Sequence, residues 1–219
     1  MVRTPDHNNA GEHSSPDDGE EFTALFADMR GSTGIVEFVE RHHGLNAAAE
    51  LFQVFLSECV RLVEDIDGAE VHLRGDGVLI LFSGADRVQD AVEYTRRLRH
   101  MVDDPPDELV RHLRCGCTTC PVCGEETSLS LEVRCGIDAG RVSRFKVQTL
   151  RDTVEELVGS CISVAAKLSG ALGEAHRVGM SRRAWRRLHQ ENGTDARLDR
   201  EWTPSAGQIG QRRRRFFAS

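Results

Sequence analysis

The chain has 219 residues, 39% of them hydrophobic, enough for one sizeable core or one core with a small appendage. Its net charge is -7, which excludes a general nucleic-acid binder, because attraction to phosphate backbones needs a broad basic face. No apolar run approaches the roughly 20 residues that span a bilayer, and the first residues hold no stretch of the signal-peptide kind, so a cytoplasmic protein with no membrane partner is expected.

Residues 1–20 are rich in Asp, Glu, His, Asn, Ser and Pro and are read as a disordered or loosely attached tail, with one domain over 21–219. Phe22 to Ala27 is a short apolar run, expected as a buried strand. It ends on Asp28-Met29-Arg30-Gly31, after which Ser32 and Thr33 are expected to cap a helix. From Asn46 to Ile66, residues Leu51, Val54, Phe55, Cys59, Leu62 and Ile66 recur at helical spacing, and Gly68 stops the helix. Val71 to Arg74 and Val78 to Phe82 flank Gly75-Asp76-Gly77, a hairpin signal. Asp86 to Val102 is a second amphipathic helix, ended by Asp103-Asp104-Pro105-Pro106.

A cysteine-rich insert covers about 112–126. Leu131 to Ala139 alternates like a strand, Ser160 to Leu172 is helical, and Arg177 to Met180 is a brief strand. Ser181 caps a helix through Gln190, and Leu198 to Trp202 and Arg214 to Ala218 close the chain as strands. The order β-α-α-β-β-α-β-α-β-α-β-β predicts an α+β fold in which helices cover one mostly antiparallel sheet.

Asp28 and Asp76 carry the chemistry. Each stands at the end of an apolar run beside glycine. If their strands are neighbours, both carboxylates project from one edge and can hold two Mg²⁺ or Mn²⁺ ions over a triphosphate, with the Met29 carbonyl as a further oxygen ligand. The helix after Gly31 offers free N–H groups at Ser32 and Thr33 to phosphates. Taken singly, Asp28 reads more simply as a helix-start acid and Asp76 as an ordinary turn residue; it is the two together that point to metal chemistry.

Cys115, Cys117, Cys120 and Cys123 form Cys-x-Cys-x-x-Cys-x-x-Cys. Cys120 to Gly124 looks like one zinc knuckle, but four ligands in nine residues are cramped, and His112 can replace one. Structural Zn²⁺, a redox-active thiol cluster and incidental free thiols all stay open. Cys59, Cys135 and Cys161 sit in apolar contexts and are expected in the core, and Tyr94, Trp185 and Trp202 read as packing residues.

Four blocks together resemble the class III nucleotidyl cyclases, over roughly Phe22 to Gln190. They are Leu25-Phe26-Ala27-Asp28-Met29-Arg30-Gly31-Ser32-Thr33, Gly75-Asp76-Gly77-Val78, Arg134-Cys135-Gly136-Ile137-Asp138-Ala139-Gly140-Arg141-Val142, and Val158-Gly159-Ser160-Cys161-Ile162-Ser163-Val164-Ala165-Ala166-Lys167-Leu168. The resemblance implies a ferredoxin-like cyclase sheet that pairs as a homodimer with active sites at the interface. It implies that a nucleoside triphosphate substrate is closed by its own ribose 3′-hydroxyl, releasing pyrophosphate, with Asp28 and Asp76 as the metal carboxylates.

Departures from the family pattern matter. Ser163 stands where the family usually has Asn, and Lys167 where it has Arg; these reach the ribose and α-phosphate from the partner subunit. His72 and Glu156 fall at the base-reading positions, and neither matches the Lys and Asp of adenylate-specific members. Arg212 to Arg215 reads either as a clamp on the triphosphate or as a solvated edge. Ala165-Ala166-Lys167-Leu168 is similar to the pyrimidine cyclases of bacterial anti-phage defence, which implies a pyrimidine nucleoside triphosphate closed to cyclic UMP or cyclic CMP, with UTP favoured. Phe26 is expected near the base, and the cyclic product is expected to act through a separate effector that senses it. An adenylate cyclase and a non-catalytic nucleotide-binding or zinc-bearing module are the alternatives.

Overall fold

The computed structural model describes residues 19–114, 129–174, 176–192, 202–209 and 212–219. The expected tail over 1–18 and the four clustered cysteines lie outside the described residues. Along the chain run β1 (Glu20–Met29), α1 (Ser32–His43), α2 (Leu45–Arg61), β2 (Ala69–Arg74), β3 (Gly77–Phe82), α3 (Arg87–Asp103) and α4 (Asp107–Leu113). They are followed by β4 (Val133–Gln148), β5 (Thr153–Val158), α5 (Ser160–Ala171), β6 (Val178–Ser181), α6 (Arg182–Asn192), β7 (Thr203–Ile209) and β8 (Arg212–Ala218).

The strands form one sheet in the order β2-β3-β1-β4-β6-β8-β7, with β5 paired to β4. Among these pairings only β4–β6 is parallel. The expected mostly antiparallel α+β sheet is therefore present.

Period-two alternation divides β1 between two cores. Leu25, Ala27 and Met29 join Val78, Ile80 and Phe82 of β3 and Val39, Leu51, Phe55 and Leu98 of the helices on one face. Phe22 and Ala24 join Leu79, Leu81, Val142 and the α5 residues Cys161 and Ala165 on the other. Burial pushes the Cys59 thiol up to about 12 and also raises Cys135 and Cys161, so these cysteines are packing groups rather than nucleophiles.

Several elements differ from expectation for physical reasons. Ser32 and Thr33 lie inside α1, whose N-cap is Gly31 with no side-chain cap bond. Helix α2 stops at Arg61; the apolar spacing continues to Ile66 through turns bonded three residues apart, such as Ile66 N–H to the Val63 carbonyl. Pro105-Pro106 ends α3 but also starts α4, because Pro106 is its N-cap and Asp107 and Glu108 suit the first turn. Strand β4 continues nine residues past the expected end at Ala139 and folds back as β5. No core covers that arm, so no burial pattern marked it. Arg144 holds it to β2, donating to both Glu70 carboxylate oxygens at 2.6 Å, and reaches Glu155 at 3.3 Å. The closing strands are shifted, with β7 after Trp202 rather than before it.

Helix α5 lies directly on β4 because Gly136 has no side chain. A methyl group there would drive into the Ala165 carbonyl oxygen and sit 2.8 Å from the Ser169 nitrogen. Gly136→Ala is expected to cost at least the about 1–3 kcal/mol of an overpacked core. Gly170→Ala, where added carbon meets nothing within 4 Å, is expected to be neutral or stabilising. Urea denaturation midpoints of the two variants check this, and equal midpoints would refute close α5 docking.

Candidate active site

Strand β1 ends between β3 and β4, and the register there is Asp28 opposite Gly77 on one side and Arg134 on the other. Arg74 and Gly77 close a two-residue hairpin over Gly75 and Asp76. Gly75 has φ of 63°, the positive value that the first position of a II′-type hairpin requires and that glycine adopts without strain. Asp76 is thereby carried next to Asp28. A methyl at Gly77 would meet the Ala27 carbonyl oxygen at 2.6 Å and Asp28 Oδ1 at 3.4 Å, so glycine leaves the carboxylate its space.

The Asp28 carboxyl is raised above the usual aspartate value. Burial is the largest cause, the charge of Asp76 adds to it, and Arg134 opposes both. The register places both acids at the same end of the sheet, where the charge of Asp76 acts on Asp28. Arg134 belongs to the third sequence block, and the alternation of β4 places it on the face of Asp28 and Phe26.

Phe26 is half-buried against the second core, two residues before Asp28 and on the same face. Met29 buries its side chain in the first core. Gly31, Ser32 and Thr33 form the start of α1, whose first turn holds no acidic residue and no side-chain cap. Gly31 also lines a cleft of about 610 Å³ with Arg30, Glu132 and Glu174. Arg30 donates to Glu132 at 2.7 Å and to Glu174 at 3.2 Å, anchoring the loop between β1 and α1.

His72 faces the second core side of β2, opposite Leu79. Its Nε2 is buried with no hydrogen-bond partner and lies 3.7 Å from Glu70 Oε2. Glu156 on β5 accepts from Arg74 Nη2 at 3.2 Å, and no described hydrogen bond or ion pair links it to His72. Ser163 and Lys167 share the exposed side of α5, and no described hydrogen bond or ion pair links them to Asp28 or Asp76 of their own chain. Among the described residues, no group of three or more His, Cys, Asp or Glu is gathered as a metal site. Any cation at the acid pair would complete its shell with backbone or ligand oxygen.

No family model matches the chain, and no curated protein matches it. Solved structures do. The guanylate cyclase domain of RhGC from Catenaria anguillulae, in complex with GTP, aligns with a TM-score of 0.63 at 15% identity, covering 91% of this chain and 96% of that one. The adenylyl cyclase CyaB from P. aeruginosa aligns with a TM-score of 0.60 at 17% identity, over 90% and 92%. A bacterial light-regulated adenylyl cyclase aligns with a TM-score of 0.59 at 16% identity, and the chain spans about half of its length, 50%. The fold is therefore that of class III cyclase domains. No helix of the described residues is long and apolar enough to cross a membrane.

In the folded state Asp28 holds its proton more tightly than in the unfolded chain. The stability from this group is thus present at acid pH and lost as pH rises through the raised value. Asp28→Asn, neutral at every pH, is expected to melt higher than the native protein at neutral pH in metal-free buffer. The difference should vanish below the ordinary aspartate value of about 3.9. Identical melting temperatures at neutral pH would contradict the raised value of Asp28 and the burial that chiefly causes it.

Proposed function

We propose that this chain is a metal-dependent nucleotidyl cyclase, working as a homodimer, that converts UTP to 3′,5′-cyclic UMP and pyrophosphate. One observation carries the reading: Asp28 and Asp76 converge at one end of the sheet with their charges in repulsion. They do so on a fold shared with guanylate and adenylyl cyclases. Two carboxylates at one sheet end, with Arg134 beside Asp28, suit a pair of divalent cations, Mn²⁺ or Mg²⁺, with the Met29 carbonyl as a neutral oxygen. When bound, such ions lower the pKa of the ribose 3′-hydroxyl and neutralise the departing phosphates.

The residues of the chain do the remainder. The N–H groups of Gly31, Ser32 and Thr33, free of a side-chain cap, take the β- and γ-phosphates. The 3′-oxygen forms its bond to the α-phosphorus as the bond to the β-phosphate oxygen breaks; the hydroxyl proton passes to water and pyrophosphate leaves. Lys167 and Ser163 reach across from a second copy, the lysine as a point charge on the α-phosphate and the serine as a donor to the ribose. Phe145, Val147, Leu150, Val154 and Val158 of the uncovered arm, with Leu73 of β2, are exposed apolar residues suited to that contact.

The base preference rests on His72, Arg74 and Glu156. A carboxylate acceptor beside a cationic donor complements an imide edge, an N–H next to a carbonyl, which uracil and guanine carry and adenine lacks. The likeness of the fourth block to pyrimidine cyclases favours uracil, with Phe26 against the ring. The same likeness makes the product an alarm signal in anti-phage defence, read in the cytoplasm by a separate effector.

Incubation with each of the four nucleoside triphosphates and Mn²⁺ is expected to give cyclic UMP from UTP. Cyclic AMP or cyclic GMP as the main product overturns the base assignment, and a thermal shift with nucleotide but no pyrophosphate release leaves only a binding module. Asp28→Ala and Asp76→Ala are each expected to lose at least about 100-fold in turnover, the scale of one lost transition-state contact. Mixing Asp76→Ala with Lys167→Ala, each inactive alone, should restore turnover through mixed dimers. Full activity in Asp76→Ala would end the mechanism.

A further inference from the structure

A cleft of about 320 Å³ opens beside the middle of α3. The helix gives it Val92, Thr95, Arg96 and Arg99, and Val178 of β6, Trp202 and Ser219 form the facing wall. Helical spacing puts those four α3 residues on one side of the helix. Two of them are arginines, which do not close onto an apolar sheet end as leucine would. Past Thr95, Arg99 and Val178, which border both spaces, the cleft narrows to a recess of about 10 Å³ among Leu98, Val102, Val133 and Cys135.

The floor is apolar and the mouth is cationic. Val92, Val178 and Trp202 are buried members of the first core. The side chains of Arg96 and Arg99 are 42% and 57% exposed. Each lies near an acid of its own helix, Arg96 at 3.6 Å from Glu93 and Arg99 at 4.0 Å from Asp103, both longer than a hydrogen bond. A guanidinium has five N–H donors to share, and no Asp or Glu among the described residues lines the cleft itself.

The other polar groups of the wall are engaged, with one exception. Thr95 donates its hydroxyl to the Val92 carbonyl at 2.7 Å. The Ser219 carbonyl accepts from the Arg177 and Val178 N–H groups, each at 3.1 Å. The exception is the indole Nε1 of Trp202, a residue 3% exposed, which is buried with no hydrogen-bond partner among the described residues. A buried N–H without an acceptor is costly, and native structures leave few.

The cleft lies away from the acid pair. Val178, Trp202 and Cys135 belong to the first core, whereas α5 and Phe26, which shares its face with Asp28, pack with the second. The cleft therefore opens on the opposite face of the sheet from α5. In the proposed homodimer the partner's acid pair meets α5, so it too stays on the other face.

We propose that this cleft binds a small amphipathic carboxylate, an acid head on a short acyl chain. The carboxylate oxygens are acceptors for the Trp202 indole N–H and for the guanidinium forks of Arg96 and Arg99. The chain lies against Val92, Val178 and the Trp202 ring, and its end meets the recess, which is too narrow for a ring. A cation would be repelled by the two arginines, and a neutral alcohol brings an acceptor without the charge. The volume is at the low end of small-ligand sites. The site stands on these residues and does not rest on the proposed turnover.

The test is isothermal titration of the full chain with octanoate, below its micelle concentration, at neutral pH and low salt. Saturable binding of one octanoate per chain is expected, with octan-1-ol weaker by at least about tenfold, the scale of one lost charge-assisted hydrogen bond. Arg96→Ala/Arg99→Ala, and separately Trp202→Phe, which removes the N–H and keeps a ring, should each weaken octanoate to a similar extent. The two arginines are exposed, so unchanged melting of that variant keeps the test decisive even if Trp202→Phe folds poorly. The chain has two tryptophans, and in Trp185→Phe the emission of Trp202 should change along the same isotherm. Asp28→Asn/Asp76→Asn should leave the Kd unchanged. Absence of saturable binding overturns the proposal, as does equal binding of octan-1-ol or octylammonium, or a Kd untouched by the arginine substitutions. Tighter binding of octyl phosphate than of octanoate overturns the carboxylate assignment.

Discussion

Strand β1 is hydrogen-bonded on both sides, and its register against β3 and β4 sets where every charged group at this end of the molecule stands. Both neighbours run antiparallel, so the exit of β1 coincides with the turn before β3 and the entry of β4. A slip of one residue would send Asp28 into the first core and bring Ala27 to the site face. What opposes the slip is the cost of carrying the Asp28 carboxylate into the apolar core that Leu25, Ala27 and Met29 now fill. The placement of the acid pair is thus a consequence of apolar alternation several residues away.

Helix α5 is the second fixed point. Its close approach at Gly136 buries Cys161 and Ala165 against the sheet and leaves Ser163 and Lys167 outside. Its first residue meanwhile borders a cleft lined by arginines of β4, α6 and β8. A single helix therefore presents two different surfaces: a polar face turned outward, and a positive end turned toward β8 and α6.

Much of this was legible in the sequence wherever burial or turn chemistry left a pattern. Asp28 after an apolar run and Asp76 in a glycine turn marked the pair. Helical spacing marked α2 and α3, and Ser181 was read correctly as a cap, accepting the Ala184 N–H at 3.1 Å. The arm of β4 and β5 left no mark, because Phe145, Val147 and Val154 alternate with charged residues but no face of the arm is covered within the chain. The arginine cleft beside α5 was hidden for another reason: its arginines come from β4, α6 and β8, and only folding brings them together. The local clue was Arg182-Arg183 followed by Arg186-Arg187, a repeat of four that puts like charges on adjacent turns of α6. Such repulsion is tolerated where the groups pair elsewhere, as Arg183 does with Asp138.

In the homodimer proposed above, a second copy of the chain would cover the exposed arm and face the exposed polar side of α5. Six apolar side chains left in water on one arm and the adjoining strand are a cost that a lone subunit has no means of recovering. Ser163 and Lys167 likewise have no described partner among the acids of their own chain. One head-to-tail contact of the proposed kind would cover the first and give the second something to face. Lys167, a compact cation on a flexible stem, then supplies charge without the rigid fork of an arginine. The orientation of the reacting phosphate would fall instead to the start of α1 and to the acid pair, both fixed to rigid strand ends.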